Sequence, residues 1–281
     1  MARVQFYLVG LCLLLMAIMT VNGSTTLNKR GLQPVSPTGG SSSTRSPHFI
    51  EYMNEPASPS TCHGTTPCQI QLIIKDYQKS EVRSLDEVMK NFVKSGEPAT
   101  YDSDLRDCRE KAKTIKAKTR TIPLSVDEIA IIMCYTKAGL LHEAVNKALR
   151  SGDTEKLAPF AGYVNLLHLA LKKLQFLKTT VYRGEEWNDP HEYARGDKFQ
   201  WAAFTSATTS KDKINEFIKK NDGKVKKTEF IIEAINARDV DIYSAEPGEK
   251  EHLFLPGARF KVEQVEKKDN LHQIIHLTEI L

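Results

Sequence analysis

The spacing of apolar positions along this chain changes once, and the change predicts two structural halves. From about residue 84 to 175, apolar residues recur at helical spacing. Ser125 with Glu128 three positions on makes a capping box, and Ile129, Ile132, Met133, Leu140, Leu141, Val145 and Leu149 continue one stripe until Gly152 stops it. A further helix is predicted over 154–174, with Leu166, Leu167, Leu169, Leu171 and Leu174 as its core face. Beyond Lys178 the pattern shortens to β-branched and aromatic runs separated by turn residues. Strands are predicted at 179–182, 199–204, 228–233, 240–243, 252–255, 260–265 and 272–278, with one helix over 211–220. Helices followed by strands define an α+β class.

Composition adds limits. At 281 residues, 41% hydrophobic and 26% charged, the chain has enough material for one large core. Met1-Ala2-Arg3, an apolar run from Phe6 to Val21 and the small residues Asn22-Gly23-Ser24 read as a secretory signal peptide over 1–23, against the alternative of an uncleaved anchor. Residues 24–60 are rich in Ser, Thr, Pro and Gly and are expected to be a disordered linker, with Lys29-Arg30 as a weak processing signal. The remaining 61–281 is expected to be the working domain, mainly helical over 61–175 and mainly sheet over 176–281. Its last residues alternate as strand, through Leu271-His272-Gln273-Ile274-Ile275, and lack the apolar tail of a lipid-anchor signal. A secreted, extracellular monomer with no stable membrane anchor is therefore expected.

Cys12 falls in the signal segment, and Cys62, Cys68, Cys108 and Cys134 remain. In an oxidising compartment they read as disulfides with three possible connectivities, although the apolar surroundings of Cys134 also fit a buried thiol. Cys62-His63 with Cys68 matches no usual zinc spacing, so no metal is expected. Arg109, Lys111, Lys113, Lys116, Lys118 and Arg120 crowd one stretch, but without interleaved aromatics and at a net charge of +4 they read as a solvated face, with no nucleic-acid partner. Arg195-Gly196-Asp197 spells an adhesion tripeptide and is read as a chance match on a loop.

The candidate chemistry lies near the C-terminus. Pro247-Gly248-Glu249-Lys250-Glu251 runs into Leu253-Phe254-Leu255 and places two carboxylates two residues apart at the mouth of a predicted strand. On a strand, such residues share a face, and paired carboxylates suit a cationic substrate or transition state.

Three segments then stand in order: Val181-Tyr182-Arg183-Gly184, Phe204-Thr205-Ser206-Ala207-Thr208 and the Glu249-Lys250-Glu251 turn. Together they resemble the Arg, Ser, Glu-x-Glu signature of the arginine-specific mono-ADP-ribosyltransferases, particularly the extracellular animal enzymes. Ile132-Met133-Cys134-Tyr135-Thr136, Asn146-Lys147-Ala148-Leu149-Arg150, Ala237-Arg238-Asp239-Val240 and Tyr243-Ser244-Ala245 are similar to further family segments, so the resemblance covers about 84–281. Two departures stand out: no cysteine follows Cys134, and Thr208 replaces the second serine of a Ser-x-Ser segment.

The resemblance implies a β-sandwich NAD-binding core of the ADP-ribosyltransferase type behind the helical part. It also implies transfer of ADP-ribose from the substrate NAD to arginine-bearing protein acceptors, with release of nicotinamide. Arg183, Ser206, Glu249 and Glu251 are the implied catalytic set, and Tyr182, Arg183, Gly184 and Ser206 the implied NAD-binding set. In that scheme Glu251 offsets the oxocarbenium charge, Glu249 deprotonates the acceptor guanidinium, Arg183 grips the phosphates and Ser206 holds Glu251. Two other outcomes stay open, an NAD glycohydrolase with water as acceptor and a catalytically silent binding module.

Overall fold

A computed structural model of the chain describes residues 50–53, 69–119, 123–137, 139–176, 178–187, 192–219 and 226–281. The predicted signal peptide and nearly all of the predicted linker, with Cys62 and Cys68, lie outside the described residues.

The helical half is built of α1 (Gln69–Tyr77), α2 (Leu85–Ser95), α3 (Ala99–Lys118), α4 (Val126–Thr136), α5 (Leu140–Ser151), the short α6 (Thr154–Leu157) and α7 (Ala161–Lys172). Ser84 and Ser125 each accept a hydrogen bond from a glutamate amide three residues on, and the glutamate returns the bond, so both α2 and α4 begin with closed capping boxes. On α2 the buried Leu85, Val88, Met89 and Phe92 follow helical spacing, and Gly96 ends the helix in the left-handed region at φ 73°. On α3 the buried stripe is Tyr101, Leu105, Cys108 and Ala112, which leaves Arg106, Lys111, Lys113 and Lys118 exposed. Arg109 departs from that solvated face: it bridges Asp86 at 2.7 Å and Asp127 at 2.8 Å, tying the first turns of α2 and α4 together.

The single apolar stripe expected across residues 125–152 is two helices. Lys137 and Gly139 are extended, with ψ of 113° and 175°, and the three-residue break hardly disturbs the apolar phase. The helix expected over 154–174 is likewise divided by a 3-10 turn, Ala158–Phe160, carrying Pro159. Gly162 at the start of α7 lets Val82 approach closely, since a Cβ there would sit 2.8 Å from a Val82 methyl. Helix α1 went unpredicted, and its last residue, Tyr77, is buried and hydrogen-bonds Nδ1 of His168 on α7 at 3.0 Å. Cys108 on α3 and Cys134 on α4 are free buried thiols. Their mutual interaction holds the Cys108 thiol down and pushes the Cys134 thiol up.

The other half contains β1 (Ile50–Met53), β2 (Thr179–Trp187), β3 (Lys198–Gln200), β4 (Thr205–Thr208), α8 (Lys211–Lys219), β5 (Lys226–Ala234), β6 (Arg238–Asp239), β7 (Glu251–Phe254), β8 (Arg259–Lys267) and β9 (His272–Ile280). Hydrogen bonds link them in the order β3-β8-β9-β5-β2-β4-β7-β6, with β1 parallel to β2. β2 and β5 pair antiparallel over nine residues, from Thr179↔Ala234 to Trp187↔Lys226, while β2 and β4 meet through the pair Tyr182↔Thr208. A β-sandwich was expected; the ladders run as one sheet, which curls so that distant strands face each other. Phe254 of β7 packs edge-to-face on Phe260 of β8 at 5.3 Å although four strands separate them in the sheet.

Two further strand expectations changed. Residues 199–204 are the end of β3, a bend at Ala202-Ala203 and the approach to β4, because Trp201 exchanges backbone hydrogen bonds with Gly257 and Ala258 instead of continuing a ladder. Residues 240–243 form a 3-10 turn, Asp241–Tyr243, that redirects the chain between β6 and β7. The Arg195-Gly196-Asp197 tripeptide is a tight turn at the start of β3: Gly196 has φ 94°, the Asp197 carboxylate accepts the Ala194 amide at 2.7 Å, and Gly196 bonds back to Val262.

Candidate active site

Register decides which site residues meet. Directly opposed residues of paired strands point to the same face, and alternate residues of one strand do too. Thr208 opposes both Tyr182 on β2 and Glu251 on β7, and Ser206 lies two residues before Thr208. Tyr182, Ser206, Thr208 and Glu251 therefore share one face of three neighbouring strands. Gly184, buried, continues the line of Tyr182 along β2. Tyr182 packs against Ile214 of α8, and Leu253 on the same face of β7 joins the core of the helical half.

Arg183 points the other way. It lies in the middle of β2, not at the strand end that the sequence predicted, and faces the core enclosed by the curled sheet together with Val181, Ala207 and Phe254. Its side chain is 2% exposed. Nε donates to Glu185 at 2.9 Å, Nη1 donates to the Ser206 carbonyl at 2.8 Å, and the Trp201 ring lies 5.7 Å away. The arrangement binds β2 to β4, the step at which the backbone ladder is thinnest. Tyr193 lies nearby; burial, with a smaller contribution from the Glu185 charge, pushes its phenol well above the ordinary value.

Glu251 is fully buried as the first residue of β7, and its carbonyl accepts the Val240 amide at 3.0 Å. Ser244 donates its hydroxyl to Glu251 Oε2 at 3.1 Å and accepts the Glu246 amide at 3.1 Å. Ala245 in turn donates to Thr136 at the end of α4, so the helical half positions the segment that holds the glutamate. Ser244 was noticed in the sequence only for its likeness to a family segment; nothing in its spacing from Glu251 announces the contact.

Glu249 is not on the strand. β7 begins at Glu251, and Lys250 has φ 51° in the left-handed region, so strand alternation does not reach back to Glu249. The two carboxylates are brought together by a turn. Thr208 Oγ1 donates to the Glu249 carbonyl at 2.6 Å, and the Thr209 amide donates to the Lys250 carbonyl at 3.2 Å. From the other side, Asp241 Oδ1 accepts the amides of Gly248 at 3.0 Å and Lys250 at 2.9 Å. The hydroxyl at the third position of the Ser206-Ala207-Thr208 segment thus fastens the turn. Among the described residues, no cluster of His, Cys, Asp or Glu side chains could hold a metal ion, and no helix is long and apolar enough to cross a membrane.

A helical half packed on a curled sheet, with a buried glutamate and a second one in the preceding turn, is the frame to which the comparisons attach a family. The chain belongs to the NAD:arginine ADP-ribosyltransferase family, whose model matches residues 79–280. A putative NAD(+)--arginine ADP-ribosyltransferase, Mav, of Mycobacterium avium is 34% identical over 146 residues, which are 50% of this chain and 16% of that protein. Among solved structures, the type III effector XopAI of Xanthomonas axonopodis pv. citri shares the fold at a TM-score of 0.57 and 16% identity, over 79% of this chain and 96% of that one. The eukaryotic mono-ADP-ribosyltransferase ART2.2 does so at 0.55 and 15% identity, over 80% of this chain and 95% of that one.

Proposed function

We propose that this protein is a mono-ADP-ribosyltransferase that moves ADP-ribose from NAD to arginine side chains of proteins and releases nicotinamide. The observation that carries the reading is the fully buried Glu251 on one face with Tyr182, Ser206 and Thr208, with Glu249 held in the turn before it. Cleavage of the bond between nicotinamide and ribose develops positive charge on the sugar. A carboxylate shielded from water stabilises that charge strongly, and losing such a group costs about a hundredfold to a thousandfold in rate. Glu251 takes this role, and Ser244 keeps its oxygen oriented.

An acceptor guanidinium is too basic to attack unaided, so a placed carboxylate must orient it and take its proton. Glu249, half-buried in the turn, is assigned that part. Arg183 supports the site from the core side by fixing the Ser206 strand. We read the curled sheet as the two-layered NAD-binding core expected from the family resemblance. We also read residues 1–23 as a cleaved signal, so that the chain recovered from culture medium begins at Ser24.

The test is incubation of the protein with NAD and agmatine, following nicotinamide and ADP-ribosyl-agmatine by mass spectrometry. Both products together support transfer to arginine. Nicotinamide alone supports an NAD glycohydrolase, and neither product supports a silent binding module. Glu249→Gln is expected to lose transfer while retaining NAD cleavage, and Glu251→Gln to lose both; full transfer by Glu251→Gln overturns the assignment.

A further inference from the structure

Asp241 lies on neither glutamate-bearing element, yet a single oxygen of its carboxylate reaches across the chain to the amides on both sides of Glu249. Oδ1 accepts from Gly248 N at 3.0 Å and from Lys250 N at 2.9 Å. The Asp241 amide is itself held by Asp239 Oδ1 at 3.1 Å, and its carbonyl accepts the Ser244 amide at 3.3 Å. The carboxylate is thus anchored in the Asp241–Tyr243 3-10 turn, whose next residue, Ser244, holds Glu251.

The backbone that this carboxylate grips is one the chain does not adopt by preference. Gly248 at φ 99° takes its conformation at little cost, but Lys250 at φ 51° is a side-chain-bearing residue in the left-handed region, and such a residue persists only where its surroundings hold it. On one side the hold is Thr208 to the Glu249 carbonyl, and on the other it is Asp241 to the Lys250 amide. Relaxing Lys250 to an ordinary φ rotates the peptide that follows Glu249 and swings the Glu249 side chain, while Glu251 remains fixed by the β7 ladder and Ser244.

We propose that Asp241 is a positioning residue for Glu249, and that through it the protein favours a guanidinium over water as the acceptor. The inference rests on the arginine-transfer reading above. It separates the two glutamates mechanically: strand β7 places Glu251, and Asp241 places Glu249.

The test compares the wild-type protein with Asp241→Ala and Asp241→Asn. The asparagine keeps an oxygen acceptor in the same place and is the rescue control if alanine disturbs folding. Two quantities are read: the ratio of ADP-ribosyl-agmatine formed to NAD hydrolysed, with kcat and KM for agmatine, and amide hydrogen exchange over residues 246–251. Since misplacing a reacting group by about 1 Å costs up to about a hundredfold, Asp241→Ala is expected to lower the transfer-to-hydrolysis ratio by about tenfold or more. It should also speed exchange in the turn, and Asp241→Asn should restore most of both. A wild-type ratio in Asp241→Ala overturns the proposal, as does turn exchange equal to that of wild type. A fall in transfer that the asparagine does not rescue assigns the effect to charge, and also overturns it. If the wild-type protein makes no ADP-ribosyl-agmatine, the arginine-transfer reading fails; acceptor selection by Asp241 falls with it, and the exchange data alone then report whether Asp241 anchors the turn.

Discussion

His168 gives the helical half a measurable dependence on pH. It is 6% exposed on α7, with Nδ1 3.0 Å from the Tyr77 hydroxyl and Nε2 3.3 Å from the Gln78 side-chain amide. The Gln78 amide nitrogen can only donate, so Nε2 accepts from it and the ring proton sits on Nδ1, which donates to the Tyr77 hydroxyl. Burial lowers the His168 pKa from 6.5 to about 4, with smaller contributions from the charges of Lys172 and Arg238. Between pH 6.5 and about 4 the unfolded chain takes up a proton at this position and the folded protein does not. Unfolding free energy therefore falls as the pH is lowered through that window and is insensitive to His168 above and below it. At about 1.4 kcal/mol per unit the shift is worth at most about 3 kcal/mol, and water reaching the ring edge brings the expected loss to about 2 kcal/mol. Urea unfolding of the wild-type protein and His168→Gln at intervals from pH 7 to 4 checks this, because the variant removes one titrating group and leaves the carboxylates in both. The stability difference between them is expected to move by about 2 kcal/mol in favour of the variant on going from pH 7 to 4. Parallel curves across the window refute the reasoning.

Three further outcomes are expected. Ser244→Ala removes the hydroxyl that donates to Glu251 and should lower kcat/KM for NAD cleavage by about tenfold, as steady-state kinetics can establish. Tyr135→Phe withdraws the donor to the Phe204 carbonyl at 3.0 Å and the acceptor of the Asn146 amide at 3.0 Å; about 1–3 kcal/mol of stability should be lost in urea unfolding. Gly257→Ala places a Cβ 2.6 Å from the Ile74 Cδ1 at φ 86°. The methyl can rotate aside but the backbone cannot, so a loss of about 1–2 kcal/mol in the same assay is expected.

Some of this architecture is legible in residue spacing alone. The division into a helical and a sheet half follows from the change in apolar period, since a helix and a strand each expose an apolar face at their own repeat. The capping box at Ser125 and the stop at Gly152 were read correctly because caps are local chemistry, complete within a few residues. The family was legible as a resemblance read from the order of Arg183, Ser206, Glu249 and Glu251, and the match over residues 79–280 bears out the family. The break in the stripe between α4 and α5 was not legible, because so short a link hardly shifts the apolar phase.

Tertiary structure alone decided how the site is assembled. That Tyr182, Ser206 and Glu251 share a face while Arg183 turns into the core depends on the registers of β2 with β4 and of β4 with β7. A slip of one residue in either pairing would exchange the faces without changing any local pattern. The left-handed Lys250 follows no backbone preference of its own and is held by Asp241 and Thr208, the latter about forty residues distant. Sequence periodicity records which side of an element avoids water; it carries no record of which distant hydrogen-bonding partner fixes a turn, because that choice is made only when the strands meet.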